Sequence, residues 1–132
     1  MYIEPSIFSK ATGTDEMLKN NKRLAWCDLK IQIIRDKYYL KTGVNIEDMA
    51  HFLKIGRTSL STFINLEEGM NFNAWINSLR IEEAKILLLQ YPHFSLTQIA
   101  EMVGYTESSN FSRQFKLIIN ESPSVWRQFN QK

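Results

Sequence analysis

The sequence predicts an all-α protein: two helix-turn-helix subdomains joined by a central linker helix, with an extra N-terminal helix. Three observations carry this. Apolar residues recur at helical spacing along most of the chain. Capping residues, Gly and Pro divide that pattern into helical segments. One segment repeats another about fifty residues later. At 132 residues the chain has the size of one domain, or of two very small ones sharing an element. Eight Phe, five Tyr and three Trp are enough for a compact core.

Residues 1–14 carry Pro5, Gly13 and scattered Ser and Thr, and read as an irregular arm. Helical spacing starts at about Asp15 and runs to Lys41, within an N-terminal helical unit at 15–43. Trp26, Leu29, Ile33, Ile34 and Tyr38 form its apolar face, and Lys22, Arg23, Lys30, Asp36 and Lys37 its polar one. Gly43 is the expected terminator.

The larger unit spans 44–132. Its first helix-turn-helix, 45–66, begins with Asn45 and Asp48 in capping positions. Ile46, Met49, Ala50 and Leu53 make the stripe of the first helix. After a turn at Lys54-Ile55-Gly56, Leu60, Phe63 and Ile64 point inward, while Arg57, Thr58, Ser61, Thr62 and Asn65 can face out.

The linker helix, 71–91, starts at Asn71 and is stopped by Pro92. Phe72, Trp75, Ile76, Leu79, Ala84, Leu87 and Leu88 run along one side, and Glu82, Glu83 and Lys85 mark the other. Such a helix is about 30 Å long, close to the ~34 Å of one turn of DNA.

The second helix-turn-helix, 95–117, opens with Ser95 and Gln98, a capping box. Leu96, Ile99, Ala100 and Val103 repeat the earlier stripe fifty residues on, and Gly104 ends the helix. Phe111, Phe115 and Trp126 lie fifty-one residues after Leu60, Ile64 and Trp75. The one-residue slip falls in the turn, where a length change is cheap. On the helix from Ser108 to Leu117, Ser108, Ser109, Asn110, Ser112, Arg113 and Lys116 point away from the two Phe residues. That free face of hydrogen-bonding groups fits a DNA major groove. Arg113 can read guanine O6 and N7 or hold a phosphate, and Lys116 suits a phosphate. The C-terminal helix, 122–130, begins with Ser122 and Pro123.

Several classes are set aside. Net charge is only +2, below the strongly basic balance of a non-specific nucleic-acid binder. It is uneven: +3 over residues 1–45, −2 over 46–95 and +1 over 96–132. The lone Cys27 excludes an internal disulfide and cysteine metal sites, and fits a reducing cytoplasm. No run is apolar enough to span a membrane and no signal-peptide pattern is predicted. His51 and His93 have no partner at metal-ligand spacing, and no nucleophile arrangement is present. No enzymatic activity and no cofactor are therefore expected. Glu67-Glu68 and Glu82-Glu83 read as solvated surface, and Arg80 as one half of an ion pair with Glu83 or a neighbouring carboxylate.

From about Asn45 to Arg127 the chain resembles the DNA-binding domain of AraC/XylS-type transcription regulators. The resemblance rests on Ile99-Ala100, Val103-Gly104-Tyr105, Ser109, Phe111 to Lys116, Ser122-Pro123 and Trp126-Arg127, and on Arg80 to Lys85 in the linker. It implies sequence-specific binding of a double-stranded DNA operator and regulation of bacterial transcription. Two recognition helices would lie in successive major-groove segments. It assigns DNA contact to Ser108, Ser109, Asn110, Ser112 and Arg113, and in the first unit to Arg57, Thr58, Ser61 and Thr62. It further implies RNA polymerase as a partner and a separate sensing or dimerisation domain. The first unit departs from the family pattern. Lys54 stands where Gly is frequent, and Thr62 and Asn65 where basic residues often lie. A second reading, a helical protein-interaction module with the same fold and little DNA binding, follows from the acidic middle segment and that weakly basic unit.

Overall fold

The computed structural model describes residues 10–131, with side chains from Arg23 onward. Among the described residues there are seven α-helices and no strand: α1 (Lys10–Asp36), α2 (Ile46–Leu53), α3 (Arg57–Glu68), α4 (Phe72–Gln90), α5 (Leu96–Met102), α6 (Ser108–Ile119) and α7 (Pro123–Asn130). A 3-10 turn, Tyr38–Leu40, joins α1 to α2. Side-chain caps start four helices as their sequences predict. Asn45 and Ser95 form full capping boxes with Asp48 and Gln98. Asn71 accepts from the Ala74 N–H, and Ser122 from the Val125 N–H ahead of Pro123.

The N-terminal segment differs from its expected form at both ends. Residues 1–9 of the expected irregular arm lie outside the described residues, but 10–14 are already helical. One glycine, Gly13, costs a helix too little to start it later. The helix also stops at Asp36 rather than Lys41, because Lys37 takes a left-handed conformation (φ 53°). There Lys37 Nζ meets Glu83 at 3.0 Å. Glu83 is thus buried against α1's end, not solvated as its place beside Glu82 suggests. The hydrogen bond and charge of Glu83 raise the Lys37 pKa. Ile34 does not join the inward face either; it lies on the outer side of α1.

Two cores form, and α4 supplies both. Phe72, Trp75 and Ile76 on its first half pack with Trp26, Ile33, Met49, Leu60 and Ile64. Ile81, Ala84, Leu87 and Leu88 on its second half pack with Ile99, Val103, Phe111 and Phe115. The fifty-residue echo is therefore a structural one: Met49 and Ile99, Leu60 and Phe111, Ile64 and Phe115 are all fully enclosed. Trp126 is the less enclosed counterpart of Trp75, lying edge-on to Phe115 at 5.9 Å.

Arg80 sits where α4 passes from one core to the other. It is buried, but not as half of an ion pair. Its Nε donates to the Tyr39 carbonyl at 2.7 Å and its Nη2 to the Lys41 carbonyl at 2.8 Å. Its guanidinium also lies 5.2 Å from the centre of the Tyr105 ring. Glu83 is engaged by Lys37, so the chain leaving α1 becomes the arginine's partner. Desolvation lowers the Arg80 pKa. Arg127 does a matching job. It donates to the carbonyls of Leu88, Tyr91 and Phe94 at 2.9–3.0 Å, satisfying the end of α4 and the chain into α5.

The turns of the two helix-turn-helix units share one hydrogen-bond pattern. Ile55 N–H reaches Ala50 O at 3.1 Å, and Tyr105 N–H reaches Ala100 O at 3.0 Å. The left-handed residue is Lys54 (φ 60°) in one and Gly104 (φ 98°) in the other. The difference is steric. A Cβ on Gly104 would lie 2.7 Å from the Leu40 carbonyl oxygen and 2.8 Å from Arg80 Nη2, whereas Lys54 is exposed.

Gly104→Ala is expected to destabilise the fold by about 2–4 kcal/mol, through both the clash and the left-handed backbone. Lys54→Gly is expected to stabilise it by about 0.5–1 kcal/mol, by relieving the same backbone preference. Urea denaturation of the two variants, read by far-UV circular dichroism, checks both signs. Tyr105 supplies a pH test. Burial raises its phenol pKa to about 12, against a smaller opposing pull from Arg80. A raised folded-state pKa means that stability is complete below the unfolded value near 10 and falls as pH rises toward about 12. The urea midpoint should therefore drop between about pH 9.5 and 12, and drop less in Tyr105→Phe.

Candidate nucleic-acid interface

The residues predicted to meet DNA lie on α3 and α6, each a helix of twelve residues. Their orientation follows from the core. Leu60 and Ile64 anchor α3, and Phe111 and Phe115 anchor α6, all four with no exposed surface. Helical geometry then turns Thr58 and Thr62 of α3, and Ser109, Arg113 and Lys116 of α6, outward; all are exposed. Ser61, Ser108, Asn110 and Ser112 sit half-buried on the flanks. The ten residues thus divide into two groups, Arg57, Thr58, Ser61 and Thr62 on α3 and the other six on α6.

The helix starts separate α3 and α6 from α2, α4, α5 and α7. Four of the other helices carry a side-chain cap on their first N–H groups. Gly56 and Glu107, at the starts of α3 and α6, make no side-chain cap bond. In α6 the Asn110 N–H turns back to the Glu107 carbonyl at 3.2 Å. The N–H groups ahead of it, and those of the first turn of α3, are left for an outside acceptor, and the positive end of the helix dipole favours an anion there.

The groups on the two helices are not equally available. On α6, Arg113 Nη2 donates to Asn110 Oδ1 at 2.8 Å, which holds the guanidinium over the outer face. Among the described residues, Lys116 makes no ion pair. On α3, Arg57 Nε is 2.6 Å from Glu47 Oε2, so a carboxylate from α2 already occupies it. Asn65 turns back to the Ser61 carbonyl at 2.8 Å and to its hydroxyl at 3.3 Å. The sequence showed that α3 lacks basic residues at Thr62 and Asn65. It did not show that Arg57 is paired, although Glu47 lies only ten residues upstream, in the first turn of α2.

Other charged groups serve the fold. Glu68 is not simply solvated: it accepts from Trp26 Nε1 at 2.7 Å and pairs with Lys30 at 3.0 Å, tying α1 to α3. Glu67 is exposed and lies 3.7 Å from Arg23. Among the described residues, no cluster of His, Cys, Asp and Glu is placed to hold a metal ion. No described helix is long and apolar enough to cross a membrane.

Residues 49–128 match the family model of a helix-turn-helix domain, and the chain belongs to that family, as the DNA-binding domain of an AraC/XylS-type transcription regulator. It is 33% identical over 118 residues to the raffinose operon transcriptional regulatory protein of Pediococcus pentosaceus, covering 89% of this chain and 40% of that protein. It is 24% identical over 104 residues to the xylose operon regulatory protein of Escherichia coli, covering 76% of this chain and 26% of that protein. The chain thus spans well under half the length of these relatives. Among solved structures it resembles the C-terminal domain of AraT, a response regulator from Geobacillus stearothermophilus, with a TM-score of 0.69 at 32% identity over 76% of this chain and 82% of that one. The DNA-binding domain of AdpA, solved with a target DNA, shares the fold with a TM-score of 0.67 at 16% identity, over 78% of this chain and 89% of that one.

Substitution of Arg127 tests the packing behind this interface. Arg127→Met is expected to cost about 2–4 kcal/mol, because three carbonyls lose a charge-assisted donor. Hydrogen exchange should show the loss concentrated at the end of α4 and in α5.

Proposed function

We propose that this domain reads a bipartite duplex operator, with α6 as the principal base reader and α3 as a weaker companion. The observation that carries this reading is the unequal state of the two outer faces. On α6, Arg113 is braced by Asn110 and Lys116 has no ion-pair partner among the described residues, whereas on α3 the one basic residue, Arg57, is held by Glu47. Arg113 is assigned to a guanine edge, where a bidentate pair gives about 1–3 kcal/mol of discrimination. Ser108, Ser109, Asn110 and Ser112 supply hydrogen bonds beside it. Lys116 takes a phosphate, as do the uncapped first turns of both helices. Thr58, Ser61 and Thr62 read through hydroxyls.

The length of α4 supports spacing the two helices across successive major-groove segments. Its nineteen residues span about 28 Å, against the ~34 Å of a DNA turn. With about five phosphates neutralised, the logarithmic salt slope of binding is about −4 to −5. In the whole regulator this domain acts with a sensing or dimerisation domain and contacts RNA polymerase, as the length of the relatives and the nature of the family suggest.

Selection from a random duplex pool tests the reading. The native chain should enrich a two-part site with centres about one turn apart. Arg113→Ala should lose about 10- to 100-fold in affinity and relax preference at one base pair. Lys116→Ala should weaken all duplexes alike and make the salt slope shallower by about 1. Glu47→Gln should release Arg57 and strengthen binding about two- to five-fold at low salt, with a steeper slope. Enrichment of a site that is unchanged by Arg113→Ala would overturn the assignment of α6.

A further inference from the structure

Helix α1 has apolar residues on two sides. Trp26, Leu29 and Ile33 face the first core. Leu24, Cys27, Ile31 and Ile34 face away from it, and all four are exposed: Leu24 at 64%, Ile31 at 58% and Ile34 at 40%. At 3.6 residues per turn these four project within an arc of about 80°. A helix that had to bury only one side would carry polar groups there.

We propose that this outer face pairs with the same face of a second copy of the chain, as a parallel two-stranded coiled coil along α1. The spacing supports it. Steps of three, four and three residues from Leu24 to Ile34 are those of a heptad seam, with Leu24 and Ile31 at a and Cys27 and Ile34 at d. In the sequence, Met17 falls at the preceding a position. A seam of this kind is its own complement, so an identical helix satisfies it without any other surface. The helix has 27 residues, or about 40 Å.

Charge supports the partner and its direction. Arg23 and Asp28 fall at g and e, five residues apart, the separation that parallel helices bring together between chains. Arg23 of each copy therefore meets Asp28 of the other. Its intrachain contact with Glu67, at 3.7 Å and 63% side-chain exposure, is loose enough to yield. The next g residue, Lys30, is held within the chain by Glu68 at 3.0 Å, which balances its charge against Arg35 at the facing e position. The pairing also leaves α3 and α6 untouched, because the seam lies on the side of α1 away from the first core.

Sedimentation equilibrium of the whole chain under reducing conditions, up to about 100 μM, tests the proposal. A monomer–dimer equilibrium is expected. Ile31→Lys and Leu24→Glu should each raise the dissociation constant by about 100-fold or more, since each places two charges in an apolar seam. Circular dichroism should be unchanged for both, because these side chains are exposed in the monomer. Mild oxidation should then give a Cys27-linked dimer, as in-register parallel helices bring the two thiols within disulfide reach. A chain that stays monomeric throughout overturns the proposal. So does a dimer indifferent to both substitutions, or one in which Cys27 does not cross-link.

Discussion

The fold depends on one buried cation whose partners are main-chain carbonyls. Arg80 gathers the carbonyls of Tyr39 and Lys41, the ring of Tyr105 and the backbone of Gly104 around a single guanidinium. Those groups come from the chain entering the first helix-turn-helix and from the turn of the second. A buried charge without hydrogen bonds would be costly. Here the planar fork donates along directions a lysine could not serve. The chain leaving α1 must therefore take the path that offers its carbonyls, and Gly104 must have no side chain. Arg127 applies the same chemistry at the C-terminal end of α4, with three carbonyls rather than two.

With Arg80 at its middle and Arg127 at its end, α4 works as a beam with a core on each half. The two subdomains need not touch broadly, because each is anchored to the same rigid element. The spacing of α3 and α6 is then a property of one helix rather than of a flexible linker, which suits a protein whose two readers must match the repeat of DNA. The small packing contribution of Leu40, which reaches both cores from the 3-10 turn, adds a second tie at the midpoint.

What could be read from the sequence was what depends on near neighbours. Asn45, Asn71, Ser95 and Ser122 cap their helices because the groups they satisfy lie three residues away. The outer faces of α3 and α6 follow from the spacing of Leu60, Ile64, Phe111 and Phe115. What could not be read was long-range and polar. Arg80 and Arg127 bind carbonyls 33 to 41 residues distant, and a carbonyl leaves no mark in a residue pattern. Glu83 looked solvated because its partner, Lys37, reaches it only after a left-handed break in α1. Ile34 looked like a core residue because both sides of α1 are apolar, so periodicity alone did not say which side was inside.

The enclosed anchors of α3 and α6 also have a consequence for descent. Phe111 and Phe115 hold α6 in place, while Ser109, Arg113 and Lys116 contribute little to holding it. Changes at the outer positions can therefore accumulate at small cost in folding. If the outer positions read DNA as proposed, a lineage carrying this scaffold can move from one operator to another by substitution at a few sites, and the beam, the caps and the two arginines need not change as it does so.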